Sequence, residues 1–109
     1  MSNGNQFNGF SFYSVGSETE VDYIEAYKCQ DDGIELFGGT VDVKHAVSVG
    51  CGDEMFDWTD GWSGKGQFWL GVQTGGIGQR GLEADNREDG DTIRPLSNPT
   101  IYNLSLIHI

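Results

Sequence analysis

The sequence has little proline, little cysteine and few basic side chains, and it has no long hydrophobic run. Two prolines stand against 17 glycines, while Phe, Tyr and Trp make up 12% of the 109 residues. This composition indicates many tight corners rather than disorder. Six Lys and Arg against 17 Asp and Glu give a formal charge of −11, which would repel phosphate backbones and anionic membrane surfaces. Nucleic acid is therefore excluded as a partner, no segment reaches membrane-spanning length, and cations are favoured.

Helical periodicity is also lacking, whereas strand patterns fill the chain. Apolar residues recur at two-residue spacing and are punctuated by Gly, Asn and Asp clusters. The strands sort into two alternating series, a short one and a longer one. The short series is Phe10-Ser11-Phe12, Ile34-Glu35-Leu36, Phe56-Asp57-Trp58 and Leu82-Glu83-Ala84; the longer is 21–27, 41–47, 68–72 and 101–104.

One motif recurs in register within the short series. Its copies span 31–37, 53–58 and 79–84, and the first two copies open with two acidic residues. Each copy continues as apolar, acidic, apolar, and the central acids Glu35, Asp57 and Glu83 are 22 and 26 residues apart. Such a period is typical of coiled repeat proteins, in which each turn buries its core against the next.

The two series together predict an all-β, right-handed parallel β-helix, a solenoid fragment of about four partial rungs. Residues 1–109 form a single domain in this interpretation, with a projecting loop at about 87–99, and the last strand suggests a piece of a longer protein. Stacked rungs would align Phe12, Leu36, Trp58 and Ala84 in one core column. An antiparallel sandwich is the alternative, although it leaves the register of the motif unexplained.

The segment 31–45, followed by 56–62 and 80–86, resembles the β-helical repeat lipoproteins and multidomain exported proteins of chiefly marine bacteria. The resemblance extends from about Phe10 to Leu104. It implies a pectin-lyase-like β-helix and an extracellular or outer-surface location. It implies no established activity and no catalytic residues.

The central acids are the first candidate site. If Glu35, Asp57 and Glu83 project outward from adjacent rungs, their carboxylates lie about 5 Å apart and oppose one another's ionisation. A divalent cation would offset that repulsion, and Ca²⁺ accepts such oxygen ligands. The further residues that could complete its shell are Asp53, Asp60, Asp85 and Asn86. The alternative is a solvated ladder whose charge is relieved by Lys44, Lys65 and Arg80.

Aromatic residues suggest contact with a polysaccharide or another cell-surface component. Trp62 and Tyr23 could stack on sugar rings, whereas alternation places Trp58 and Phe68 in the core. The function predicted first is a non-catalytic extracellular scaffold or glycan-contacting surface module. The alternative is a glycosidase or lyase, since two acids about 5 Å apart would suit a retaining glycosidase.

Three smaller predictions complete the picture. His45 shares its parity with apolar strand residues and is predicted to be packed or hydrogen-bonded rather than a ligand. Cys29 and Cys51 are 22 residues apart, so stacked rungs bring them within reach of a disulfide, or of a pair of buried thiols. The open coil ends would favour self-association.

Overall fold

The computed structural model describes residues 7–75, 80–87 and 94–109, and its regular structure there consists of strands. Among these residues there is no helix with the length and apolarity needed to cross a membrane. Short and long strands alternate along the chain, as the two predicted series require. They are β1 (Phe10–Tyr13), β2 (Glu20–Tyr27), β3 (Ile34–Phe37), β4 (Asp42–Val49), β5 (Phe56–Thr59), β6 (Lys65–Gln73), β7 (Leu82–Ala84) and β8 (Thr100–His108).

The strands form two parallel sheets, and the chain crosses from one to the other at every half turn. One sheet has the order β1-β3-β5-β7 and the other β2-β4-β6-β8. Each strand thus pairs with the strand two positions later in the chain, which is the topology of a parallel β-helix. The predicted right-handed parallel β-helix is confirmed, and the antiparallel sandwich is excluded.

The register carries the core columns from rung to rung. Phe12 pairs with Leu36 and Leu36 with Trp58, and these side chains point into the coil between the two sheets. The centre of the core is aromatic: Phe56 stacks on Trp69 at 4.6 Å between ring centroids, and Trp69 on Trp62 at 6.1 Å. All three rings are at most 1% exposed, so the centre of the core is a buried aromatic stack between the sheets.

A column of residues in the left-handed backbone conformation breaks the alternation of inward and outward side chains in the long strands. Tyr23, His45, Phe68 and Asn103 have φ between 52° and 58° and occupy successive rungs. A residue in this conformation bends the strand and moves the following side chains to the opposite face. Phe68 is therefore 44% exposed, and its predicted place in the core is wrong.

The predicted loop at about 87–99 lies partly outside the described residues, because 88–93 are not among them. The C-terminal end of this loop, which is among the described residues, packs on the coil. The Asn98 N–H donates to the Trp62 carbonyl at 3.0 Å, and the Ser97 N–H donates to Asn86 Oδ1 at 2.7 Å. This end therefore returns the chain to the start of β8.

Candidate cation-binding site

Glu35, Asp57 and Glu83 form one column, named here the acidic column, on the face of the short sheet opposite the core. They are register partners: Glu35 pairs with Asp57, and Asp57 with Glu83. This agrees with the stacking predicted from the repeat. The alternative of a solvated ladder does not describe Glu35 and Asp57, which are only 9% and 7% exposed, whereas the Glu83 side chain is 32% exposed.

A second column covers the first. Three residues before each central acid lies Asp32, Glu54 or Arg80, and these three residues are named here the flanking column. Asp32 is 3% and Glu54 1% exposed. The backbone ladder continues into these turns, since the Gly33 N–H donates to the Glu54 carbonyl at 2.9 Å. The flanking side chains are thereby stacked beside the acidic column and shield it from water.

Hydrogen bonds to neutral groups hold part of this arrangement. Asn8 Nδ2 donates to Glu35 Oε1 at 2.8 Å, and Asn8 Oδ1 accepts the Asp32 N–H at 3.1 Å. The Glu54 N–H donates to Asp32 Oδ1 at 3.1 Å. These bonds fix the positions of the carboxyl groups without neutralising them.

Arg80 places one positive charge at the rim of the site. Its Nη1 lies 3.2 Å from Glu83 Oε1 and 3.5 Å from Glu54 Oε1. The Arg80 side chain is 59% exposed, so water screens its charge and the pairs contribute little. One guanidinium at the rim cannot balance the buried carboxyl groups.

Burial, followed by the crowding of acids, raises the pKa values of three members of the site. Burial raises the pKa of Asp57 to about 10, and the negative charge of Glu35 is the next cause. Burial raises the pKa of Glu54 to about 8, with a hydrogen bond to Asp53 adding to the shift. Burial likewise raises the pKa of Glu35 to about 7, although the bond from Asn8 opposes the change. Without a cation, the site therefore holds protons near neutral pH.

Some of the buried oxygens have no hydrogen-bond partner among the described residues. They include Asp57 Oδ1 and Glu54 Oε2, on side chains that are more than nine-tenths buried. A buried carboxylate oxygen without a partner costs about 1–3 kcal/mol. Such oxygens are satisfied when a cation binds, so these two atoms point to a ligand.

The described residues contain three groups of acids whose donor oxygens lie within 4.8 Å of one another. Oxygen-only donor sets suit Ca²⁺ and Mg²⁺ rather than softer metals. Asp32 and Asp57 each belong to two of the groups, and Asp57 is shared by the two groups that contain the acidic column. The groups are Asp31, Asp32 and Asp53; Asp32, Glu35 and Asp57; and Glu54, Asp57 and Glu83.

The structure brings together only part of the predicted ligand set. Asp53 lies in the group with Asp31 and Asp32, whereas Asp60 and Asp85 are exposed and belong to none of the three groups. Asp60 turns away because it lies in a left-handed corner, with φ of 56°. Asp85 follows the end of β7, where its N–H donates to the Trp58 carbonyl at 2.9 Å. The structure therefore does not bring Asp60 and Asp85 together with the other acids, and their roles as ligands stay a prediction.

Sequence reasoning missed Asp32 and Glu54 as members of the site. The sequence did contain a signal for them, since the first two copies of the motif open with two acids. The second acid of each pair, Asp32 or Glu54, is the one buried beside the acidic column. The third copy carries Arg80 at that position. Alternation along the strand says nothing about these residues, because they lie in the turn before it.

Trp62 cannot stack on a sugar, because it is 0% exposed. It lies in the turn after β5, beside Gly61 with φ of 81°. Its indole Nε1–H donates to the Val41 carbonyl at 3.0 Å, as a buried tryptophan requires. The prediction for Trp62 is wrong: the turn directs its side chain into the core instead of into solvent.

Tyr23 is 77% exposed and begins an aromatic ladder on the outer face of the long sheet. Its ring stacks on His45 at 4.3 Å, and His45 stacks on Phe68 at 5.0 Å. His45 Nδ1 lies 2.8 Å from Asp22 Oδ1. His45 is thus packed and hydrogen-bonded, as predicted, although on the outer face rather than in the core.

Cys29 and Cys51 are free thiols on adjacent rungs. The Gly52 N–H donates to the Cys29 carbonyl at 2.8 Å. Burial raises the pKa of the Cys29 thiol to about 11, and a hydrogen bond with Cys51 adds to the shift. This is the paired-thiol state, and disulfide formation under oxidising conditions stays a prediction.

Comparison with known protein families gives a match. A family model described as a pectate-lyase-like β-helix domain matches residues 1–109. No curated protein and no solved structure matches the chain. The match covers the whole chain and accords with the two parallel sheets.

Proposed function

Because the chain belongs to the family of pectate-lyase-like β-helix domains, we propose that it is a non-catalytic extracellular scaffold whose acidic column binds calcium. The observation that carries the proposal is the pair of unpartnered, buried oxygens Asp57 Oδ1 and Glu54 Oε2. A cation bound there would neutralise carboxylates from three successive rungs and hold those rungs together.

Burial of the acids supports a scaffold over a polysaccharide-active enzyme. A catalytic acid or nucleophile must reach a glycosidic bond, and membership of a fold family does not supply an activity. Glu35 and Asp57 are both more than nine-tenths buried beneath the flanking column. Their position suits a structural cation better than a substrate.

The extracellular location is part of the same proposal. Calcium sites of extracellular modules commonly bind in the range of about 10⁻⁴ to 10⁻³ M, which suits an ion that is abundant outside cells. The net charge of −11 also keeps such a domain away from anionic lipid surfaces. A cell-surface component is the expected partner, and the open coil ends are expected to favour self-association.

Calcium is expected to raise the melting temperature of the protein, and Asp57→Asn is expected to abolish the increase. At a calcium concentration of 100 times Kd, the stabilisation would be about 2.7 kcal/mol. The measurement is thermal unfolding by circular dichroism, with calcium and with a chelator. Asp57→Asn preserves the shape of the side chain and resembles the protonated acid, so the variant should still fold.

Asp60→Asn is the matched control for that experiment. It removes the same charge from an exposed residue outside the three groups, and Asn tolerates the left-handed conformation of this corner. The control should keep the full calcium response. Equal melting temperatures with and without calcium in the wild-type protein would refute the cation-binding scaffold.

A second candidate function, glycan contact, is favoured by the exposed aromatic ladder. A groove of about 310 Å³ lies beside it, lined in part by Asp22, Asp42 and Lys44. A polar groove next to an aromatic ring offers hydrogen bonds for sugar hydroxyls and a face for stacking. Because acids predominate in its lining, the groove would favour neutral over acidic glycans.

Tyr23→Ala tests glycan contact. Retardation of the wild-type protein in native gels that contain a neutral polysaccharide is expected to fall by at least about half in the variant, because one aromatic face contributes about 0.5–1.5 kcal/mol. Tyr13→Ala is the control, since Tyr13 is also exposed, at 66%, but lies on the other sheet. Equal retardation of both variants would count against the ladder as a glycan surface.

A further inference from the structure

Two of the acid groups share one residue, and this geometry distinguishes two cation positions. Asp32, Glu35 and Asp57 form one group, and Glu54, Asp57 and Glu83 form the other. Asp57 is the register partner of Glu35 on one side and of Glu83 on the other. The two groups therefore lie on opposite sides of Asp57 along the coil axis.

Rung spacing suits two ions that share a carboxylate. Neighbouring parallel strands are about 4.8 Å apart, and paired metal ions in proteins are commonly about 3.5–4 Å apart. A carboxylate has two oxygens and can bind one ion through each. Asp57 at the middle rung is therefore placed to bridge the two positions.

Each group contains a buried oxygen without a hydrogen-bond partner among the described residues. Asp57, whose Oδ1 has no partner, belongs to both groups, and Glu54, whose Oε2 has no partner, belongs to the group that includes Glu83. Both side chains are more than nine-tenths buried. An ion held by Asp32, Glu35 and Asp57 alone would leave Glu54 Oε2 without a partner.

Charge leads to the same number of ions. The five acids of the two groups and Arg80 together carry four net negative charges when all are ionised. One divalent cation would leave two of these acids either charged, which is costly in a buried site, or protonated. Two divalent cations would neutralise the site and leave Arg80 in its exposed position at the rim.

We propose that the acidic and flanking columns together bind two calcium ions that share Asp57 as a bridging ligand. One ion is held with Asp32 and Glu35, and the other with Glu54 and Glu83. This inference rests on the proposed cation-binding function and specifies its stoichiometry. Calcium fits better than magnesium, because it accepts six to eight oxygens in irregular geometry, whereas magnesium requires a near-ideal octahedron. Water would complete both coordination shells.

Isothermal titration of the chelator-treated, full 109-residue chain with calcium chloride tests the proposal. The expected stoichiometry is two calcium ions per chain. Glu35→Gln and Glu83→Gln should each reduce it to one, because each variant removes a ligand from a different position. Asp57→Asn should reduce it to zero, and Asp60→Asn should leave it at two.

The outcomes separate this inference from the function on which it rests. One ion per chain in the wild-type protein, lost in both Glu35→Gln and Glu83→Gln, would overturn the bridged pair while cation binding survives. Three ions would overturn it as well. No binding and no thermal stabilisation would overturn both proposals. Circular dichroism of each variant without calcium confirms that it is folded, since replacing Glu by Gln removes repulsion and keeps the side-chain volume.

Discussion

In calcium-free buffer the protein is expected to lose stability as the pH rises from about 6 to 8. Folding raises the pKa values of Glu35 to about 7, of Glu54 to about 8 and of Asp57 to about 10, whereas unfolded carboxyls titrate near pH 4. Between about pH 4 and these raised pKa values, the folded chain binds more protons than the unfolded chain. Since stability rises with pH only where the unfolded state binds more protons, it must fall here.

The expected loss from Asp57 alone is about 3 kcal/mol over those two pH units, and Glu54 and Glu35 add to it until the pH exceeds their folded pKa values. Each carboxyl that remains protonated only in the folded state contributes up to about 1.4 kcal/mol per pH unit. The penalty of a group begins near its unfolded pKa of about 4 and stops growing above its folded pKa. Urea denaturation at pH 6, 7 and 8 in the presence of a chelator measures the change.

Asp57→Asn is the control for this pH dependence, because an amide does not titrate. The variant should show a shallower decline in the free energy of unfolding. Calcium should also reduce the decline in the wild-type protein, because the ion replaces the protons on the same carboxyls. A free energy of unfolding that stays constant or increases toward pH 8 would contradict the raised pKa values.

Trp69→Ala is expected to reduce the free energy of unfolding by about 3–5 kcal/mol, the usual range for removal of a buried aromatic side chain. Trp69 is 1% exposed and stacks between Phe56 and Trp62. Its Nε1–H donates to the Val43 carbonyl at 2.9 Å, so the substitution also leaves that carbonyl without its partner. Because domains of this size are stable by about 5–15 kcal/mol, the variant should be near its unfolding transition at room temperature.

Phe68→Ala is the matched control for the core substitution. Phe68 is the residue before Trp69 on β6, but its ring lies on the outer face and is 44% exposed. Its removal should cost about 1 kcal/mol, since only the contact with His45 and part of its apolar area are lost. Denaturation in urea, followed by circular dichroism, compares the two variants. A similar loss in both would show that the stack around Trp69 is not the centre of the core.

The aromatic residues show where strand alternation predicts burial correctly and where it does not. Alternation correctly assigned Trp58 to the core, where it is 8% exposed. It failed for Phe68, because a left-handed residue shifts the phase of the strand and nothing in the residue types marks that conformation. It failed for Trp62 because this residue lies in a turn, where alternation has no meaning.

The candidate site was likewise predictable from the sequence only in part. The spacing of 22 and 26 residues placed Glu35, Asp57 and Glu83 in one column, since rungs of nearly constant length must bring equivalent residues into register. Their burial could not be read from the strands. It results from Asp32 and Glu54, which reach the column through the turn that precedes each short strand.

The amino-acid sequence by itself determined the parallel β-helix, its two sheets and the register of its columns, because a periodic chain with alternating strands can bury its apolar residues only by stacking its rungs. Only the tertiary structure decided which acids are covered, which aromatic rings face solvent and which carboxyl oxygens have no partner. These properties depend on corner conformations and on contacts between successive turns. For this protein they distinguish a solvated ladder of acids from a buried site suited to cations.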